Sequence, residues 1–147
     1  MTFLSRSARR AVLASSAALL CAAATMAAAT PSLAGGETCR GEQATFVGTP
    51  GPDVFNGGPG RDVVVTLGGN DDIDAGGGDD LICAGGGRDE IDGDAGNDEM
   101  YGQGGNDEMD GQSGDDTLIG GRGDRDDADG EIGFDTCDAE IEDQCEA

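Results

Sequence analysis

The chain has 147 residues, and its 31 acidic residues outnumber its 8 basic ones, so that the formal net charge at pH 7 is −23. It contains no histidine and no lysine, which excludes histidine-based catalytic triads, histidine-bound zinc and lysine-containing phosphate loops. The acidic balance also excludes a basic nucleic-acid-binding surface. We therefore expect neither an enzyme nor a nucleic-acid-binding protein.

Residues 1–34 have the composition of a secretory signal peptide. Three arginines lie within the first ten residues, an alanine-rich apolar run follows, and small residues precede Ala34. The run is marginal in length for a membrane span. We expect cleavage after Ala34 and an extracellular mature chain without a membrane span, exported by the general or the twin-arginine route. The remaining residues keep all 31 acidic groups and five arginines, a net charge of −26.

Residues 35–47 predict an N-terminal cap. Residues 39–47 are an imperfect copy of the nine-residue unit that follows them, because Ala44 takes the place of its aspartate while Phe46 keeps its apolar position. Such a segment would close the core of a repeat protein without carrying the acidic group of the repeat.

Residues 48–119 consist of eight tandem nine-residue units without a gap. In every unit position 4 is glycine, position 6 is aspartate and position 8 is apolar. The position-6 aspartates are Asp53, Asp62, Asp71, Asp80, Asp89, Asp98, Asp107 and Asp116. A fixed period predicts a stacked architecture. Because side chains alternate along a strand, a short strand at positions 7–9 would bury position 8 and expose positions 7 and 9.

This unit resembles the nonapeptide G-G-x-G-x-D-x-U-x of the RTX, or haemolysin-type, calcium-binding repeats. The resemblance implies an all-β fold, a right-handed parallel β-roll (β-solenoid), in which two units make one turn and Ca²⁺ lies between stacked turns. Odd-numbered units would stack along one edge of the roll and even-numbered units along the other. Three steps between aspartates on each edge imply about six ions, held by these carboxylates and by turn carbonyls.

Charge and core size predict that folding depends on these ions. A net charge of −26 opposes compaction, and six Ca²⁺ would reduce it to −14. One inward apolar side chain per nine residues stabilises by roughly 1.5–3 kcal/mol, less than the entropy lost on ordering nine residues. We expect a chain that folds on binding calcium. Without calcium, a disordered acidic segment rich in glycine is the expected state.

The two outer faces of the roll are expected to differ. Positions 7 and 9 of the odd units are mostly acidic and would face solvent. In the even units Val63, Val65, Leu81 and Cys83 would be neighbours and form an exposed apolar patch. We expect a terminal segment or a partner to cover this patch, and ordinary filling of strand positions by β-branched residues is the alternative.

Residues 120–147 predict degenerate repeats and a C-terminal cap. The segment 120–129 has ten residues, one more than a repeat unit, and counting from Gly120 places Arg125 at position 6. Register then returns, with Asp135 at position 6 and Cys137 at position 8. Asp135 is therefore a further candidate metal ligand, which would share a seventh ion with Asp116.

Four cysteines follow residue 34, namely Cys39, Cys83, Cys137 and Cys145. Export favours disulfides, and four cysteines allow three pairings. We favour Cys39–Cys83 and Cys137–Cys145, one at each end of the roll, with free thiols as the alternative. The first bond would hold the N-terminal segment beside the apolar patch.

These patterns favour a secreted calcium-binding repeat protein without an effector domain. The alternative is a calcium-gated adhesion or protein-interaction module, in which the apolar outer face around Val63, Val65 and Leu81 binds an unidentified protein or cell-surface partner.

Overall fold

The computed structural model describes residues 36–145, so that the predicted signal peptide lies outside the described residues. Over this range all regular secondary structure is β-strand. No helix in this part of the chain is long and apolar enough to cross a membrane. The strands, numbered along the chain, are β1 Thr38–Cys39, β2 Glu42–Gln43, β3 Phe46–Val47, β4 Val54–Asn56, β5 Val63–Val65, β6 Asp72–Asp74, β7 Leu81–Gly87, β8 Glu90–Asp92, β9 Glu99–Gly105, β10 Glu108–Asp110, β11 Thr117–Arg122, β12 Asp127–Asp129, β13 Thr136–Asp138 and β14 Ile141–Asp143.

The strands from β3 onward form two parallel six-stranded sheets. The odd sheet has the order β14-β12-β10-β8-β6-β4, and the even sheet has the order β13-β11-β9-β7-β5-β3. In the regular part each residue pairs with the residue 18 positions further on, as Ile73 does with Ile91. Two nine-residue units therefore make one turn, and the chain forms a β-solenoid of about five turns. This arrangement confirms the predicted all-β parallel β-roll.

Position 8 of each unit forms the core between the sheets. Seven of these side chains are at most 2% exposed, namely Val64, Ile73, Ile82, Ile91, Met100, Met109 and Leu118. Phe46 and Phe55 close the N-terminal end of this column with ring centroids 4.7 Å apart, and Cys137 and Ala139 pack at the other end. The alternation that predicted an inward position 8 is confirmed.

Position 4 of the last six units must be glycine because consecutive turns touch there. In the last six units this glycine has φ between 128° and 149°, a backbone conformation that side chains rarely adopt. A Cβ atom added to Gly105 would overlap the carbonyl oxygen of Gly87, the position-4 glycine one turn earlier. The invariant glycine therefore sets the distance between stacked turns.

The apolar patch on the even sheet is covered by the N-terminal segment. Val63, Val65, Leu81 and Cys83 are 2–7% exposed and pack with Cys39, Ala44 and Tyr101. A Cys39–Cys83 disulfide joins β1 to β7, as predicted. The hypothesis of a covering terminal segment is confirmed, and the expectation of an exposed patch is wrong. An adhesion surface around Val63, Val65 and Leu81 is therefore not available in this fold.

The covering segment is a hairpin and not a copy of the repeat turn. Strands β1 and β2 pair antiparallel, and the repeat pattern resumes only at β3, where Phe46 lies beside Val64. The tight turn between β1 and β2 contains Arg40 and Gly41, both with positive φ. Aligning residues 39–47 with the nine-residue unit correctly placed Phe46 at the inward apolar position. It did not predict the hairpin before Phe46.

The C-terminal irregularity leaves the sheets intact. Strand β12 pairs with β10 in register, although 19 residues separate Glu108 from Asp127. Strand β14 continues the odd sheet, and the predicted Cys137–Cys145 disulfide is present. The extra residue is therefore accommodated in the turn that precedes β12.

Candidate metal centre

Each position-6 aspartate is tied to the next turn by a hydrogen bond. The backbone N–H of one aspartate donates to Oδ1 of the following aspartate on the same edge, and the eight N···O distances are 2.6–3.0 Å. On the odd edge these bonds join Asp53, Asp71, Asp89, Asp107 and Asp126, and on the even edge Asp62, Asp80, Asp98, Asp116 and Asp135. The structure therefore brings all nine predicted site residues into two aspartate ladders.

The second carboxylate oxygen of the ladder is the chemically unusual atom. Among the described residues, eight buried Oδ2 atoms accept no hydrogen bond, those of Asp71, Asp80, Asp89, Asp98, Asp107, Asp116, Asp126 and Asp135. These aspartates are at most 3% exposed. A buried carboxylate oxygen without a partner is costly. One such oxygen occurs at each of the eight steps between neighbouring aspartates of a ladder.

The first aspartate of each ladder differs because a threonine at the N-terminal end of the roll binds its carboxylate. Oδ2 of Asp53 accepts a hydrogen bond from the backbone N–H of Thr49 at 2.6 Å. The hydroxyl of Thr45 donates to Oδ1 of Asp62 at 3.1 Å and accepts from the backbone N–H of Val63 at 2.9 Å. Thr49 of the first regular unit and Thr45 of the N-terminal segment therefore close the two ladders, a role that the repeat pattern did not predict.

At the C-terminal end the structure places Asp126, and not Arg125, in the odd ladder. Asp126 is fully buried, and its Oδ1 accepts from the N–H of Asp107 at 3.0 Å, whereas Arg125 is exposed. The prediction that Arg125 occupies position 6 is wrong, because the inserted residue lies before position 6 and shifts a count that starts at Gly120 by one residue. Counting back from Ala128, the buried position-8 residue of this unit, would have identified Asp126.

A second hydrogen-bonded ladder runs along position 5, outside the first. Here the side-chain oxygen of one residue accepts from the backbone N–H of the residue one turn later. The donor–acceptor pairs are Arg88–Asn70, Asn97–Asp79, Asp115–Asn97, Asp124–Asn106 and Phe134–Asp115, with distances of 3.0–3.3 Å. The signal for it in the sequence is the recurrence of Asn or Asp directly before the ladder aspartate.

Burial raises the pKa values of the inner ladder carboxyls. The pKa of Asp98 rises to about 7, chiefly through loss of hydration and further through the negative charges of Asp80 and Asp116. Burial raises the pKa values of Asp89 and Asp116 to about 6, although each carboxylate accepts a backbone hydrogen bond that favours its charged form. Burial also raises the pKa values of Asp80 and Asp107. The ladder thus holds negative charge in an environment that disfavours it.

These pKa values predict that, in metal-free buffer, the roll becomes more stable relative to the unfolded chain as the pH falls from about 7 towards 4. The folded chain binds protons that the unfolded chain, with carboxyl pKa values near 3.8, has already released. Circular dichroism of calcium-stripped protein should show more β-structure at pH 4.5 than at pH 7.5. Sedimentation controls for precipitation near the isoelectric point. A β signal that falls on acidification would contradict this expectation.

The outer face of the odd sheet is acidic, as expected, and only its position-7 residues are fully solvated. Asp72, Glu90 and Glu108 are exposed, whereas the position-9 residues Asp74 and Asp92 are half-buried. Burial raises the pKa values of both, and the Asp94 carboxylate adds to each shift. This face therefore has an exposed acidic row at position 7 and a half-buried acidic row at position 9.

The donor set of the ladder turns fits a hard cation bound largely by oxygen. In residues 36–145 no three His, Cys, Asp or Glu side chains converge on a point, so that carboxylates alone do not form a metal site. The two ladders offer unpartnered, buried carboxylate oxygens beside turns rich in backbone carbonyls. Ca²⁺ takes six to eight oxygen ligands, including carboxylates and backbone carbonyls. The residues present therefore fit calcium.

Comparison with known protein families agrees with the geometry. The family model described as the RTX calcium-binding nonapeptide repeat matches the chain four times, over residues 47–82, 82–109, 92–126 and 101–137. Together the matches span more than half of the chain and extend beyond the eight regular units. Searches of curated proteins and of solved structures returned no significant match.

Proposed function

The chain belongs to the RTX calcium-binding nonapeptide repeat family, and from this premise we propose that it is a secreted protein that binds Ca²⁺ between stacked turns and folds as it does so. The observation that carries this proposal is the set of eight buried Oδ2 atoms without a hydrogen-bond partner. Cations beside these oxygens would offset negative charge that the fold otherwise buries at a cost.

The ligands we propose are the ladder aspartates together with backbone carbonyls of the glycine-rich turns. Calcium, when bound, supplies positive charge between carboxylates that would otherwise repel each other. The chain positions these carboxylates through the bonds between each Oδ1 and the aspartate N–H of the preceding turn, which leave Oδ2 for the ion. The position-4 glycines bring the turns close enough for one ion to contact two of them.

The regular repeats account for six ions, three on each edge, with the inner aspartates shared. The step from Asp116 to Asp135 supports a seventh. The N–H of Asp116 donates to Oδ1 of Asp135 at 2.9 Å, and Oδ2 of Asp135 is buried without a partner. The inserted residue before it therefore does not disrupt this step.

We further propose that the protein acts outside the cell and binds calcium without catalysing a reaction. The two disulfides, Cys39–Cys83 and Cys137–Cys145, suit an oxidising compartment. The predicted signal peptide at residues 1–34 suits the same location. The buried carboxylates are committed to the repeat, so that calcium is the partner this site supports best.

Calorimetric titration with calcium tests this function, and Asp98→Asn is the most informative variant. Asp98 takes part in two steps of the even ladder, and asparagine keeps the Oδ1 that accepts from the N–H of Asp80 at 2.7 Å. The wild type should bind with half-saturation in the extracellular range, about 10⁻⁴–10⁻³ M. The variant should bind one or two fewer ions and need about tenfold more calcium, or about 1.4 kcal/mol, because calcium affinity depends on the number of charged ligands.

Asp115→Asn is the matched control for this titration. It removes the same charge from the same edge, but Asp115 is exposed and its Oδ1 accepts from the N–H of Phe134, which asparagine can also do. Asparagine already occupies this position in Asn97 and Asn106. Calcium binding by the control should match the wild type. A wild type that binds no calcium would refute the proposed function.

A further inference from the structure

The irregular unit Gly120–Asp129 interrupts the repeat because it has ten residues. Counting from Gly120 places Arg125 at position 6, so that the repeat pattern assigns no acidic ligand to this unit. In the folded chain Asp126 is fully buried, and its Oδ2 accepts no hydrogen bond from the described residues. A buried carboxylate oxygen aimed into a glycine-rich turn without a partner is the feature shared by the regular steps of the ladder.

The turn before Asp126 reproduces the regular turn at three points. Its Oδ1 accepts from the N–H of Asp107 at 3.0 Å, within the range of the other ladder bonds. A Cβ atom on Gly120 would approach Oδ2 of Asp126 to 2.5 Å, as one on Gly111 would approach Oδ2 of Asp116 to 2.6 Å. A Cβ atom on Gly123 would overlap the carbonyl oxygen of Gly105, as one on Gly105 or Gly114 would overlap the carbonyl oxygen of the position-4 glycine one turn earlier.

The inserted residue is displaced outward and leaves this geometry intact. Arg125 is exposed, whereas β12 directly after Asp126 pairs in register with β10. An insertion that reached the inside of the turn would have shifted this pairing. The extra length is therefore absorbed between Gly123 and Asp126, on the solvent side.

Glu140 closes the odd ladder one turn later. Its Oε2 accepts from the N–H of Asp126 at 3.0 Å, the role that the following aspartate plays elsewhere in the ladder. The Cys137–Cys145 disulfide encloses Glu140 in a short loop, and β14 pairs with β12 directly after it. Asp126 is thus held from both sides, by Asp107 through its Oδ1 and by Glu140 through its N–H.

From these contacts we infer that the irregular unit holds its own calcium ion, between the turns of Asp107 and Asp126, and that the chain binds eight ions in all. This inference rests on the proposed function and deepens it. Each of the eight steps then has one ion and one otherwise unpartnered Oδ2. Asp126 acts as the ligand, and Glu140 is a positioning residue that completes the hydrogen bonding of the last turn.

Native mass spectrometry in calcium tests this inference by counting ions. The wild type should carry eight, and Asp126→Asn should carry seven while keeping its β-sheet circular dichroism at saturating calcium. Asp127→Asn is the matched control, because it removes the same charge from the adjacent exposed residue, and it should carry eight. An ion count that is the same for Asp126→Asn and the wild type would overturn the inference.

Deletion of Arg125 provides a test that does not depend on the folding of Asp126→Asn. The deletion restores the nine-residue spacing and places Asp126 at position 6 by simple counting. If the irregular turn already holds an ion, the deletion variant should carry the same eight ions as the wild type. A gain of one ion on deletion would show that the wild-type turn holds none and would overturn the inference. A wild type with no bound calcium would instead refute the proposed function itself.

Discussion

Removal of calcium is expected to abolish the β-sheet signal of this protein at pH 7.5. Eight buried carboxylate oxygens lack a hydrogen-bond partner among the described residues. An unsatisfied buried acceptor costs about 1–3 kcal/mol, and a charged one costs more. Eight of them together rival or exceed the roughly 5–15 kcal/mol by which a typical domain is stable. The column of position-8 side chains and the small cluster beneath the N-terminal hairpin already have to offset the entropy lost on ordering the chain.

Circular dichroism during a calcium titration measures this coupling. The β signal should return cooperatively, because neighbouring ions share aspartates and each ordered turn forms the base of the next. Magnesium at the same concentration is the matched control, since its smaller octahedral shell suits a carbonyl-rich turn poorly. Sodium chloride at equal ionic strength separates ion binding from screening of the net charge. A full β signal in excess chelator would contradict coupled folding.

Gly105→Ala is expected to prevent the roll from forming a stable stack even at saturating calcium. Gly105 has φ +144°, and a Cβ atom there would overlap the carbonyl oxygen of Gly87 on the preceding turn. Relief would require the two turns to move apart, which would break the ladder bond between Asp89 and Asp107 and reduce the number of ligands that one ion can reach. We expect a loss of more than about 4 kcal/mol, the range associated with severe backbone or packing conflicts.

Gly104→Ala is the control for this substitution, because it adds the same methyl group to the adjacent residue. The nearest atom to its added Cβ would be the carbonyl oxygen of Gly85 at 3.7 Å, an ordinary contact. Thermal unfolding at saturating calcium should show Gly104→Ala within about 1 kcal/mol of the wild type. If both variants melt alike, the position-4 glycines do not control the spacing of the turns.

The period of the sequence was sufficient to predict the repeat architecture. A glycine, an aspartate and an apolar residue at fixed positions specify a turn, an acidic group on its edge and a buried side chain, because strand alternation leaves one inward position per unit. The core from Val64 to Leu118 followed from that pattern, and the strand pairing 18 residues apart followed from the resemblance to the RTX repeat. The sequence favoured the pairings Cys39–Cys83 and Cys137–Cys145 among three possible ones, and the structure contains both.

The sequence by itself determined the β-roll, its core and the aspartate ladders, because these features depend on contacts that repeat identically from one turn to the next. Only the tertiary structure decided where that regularity ends. It selected Asp126 over Arg125 because an inserted residue can bulge outward while the strand after it keeps its register. It also assigned Thr45, Thr49 and Glu140 to close the ladders and placed a hairpin over Val63 and Leu81. The covering of this patch was expected from Cys39 and Cys83, but the hairpin and the closing contacts involve residues outside the repeated glycine, aspartate and apolar positions, so that the nine-residue pattern did not predict them.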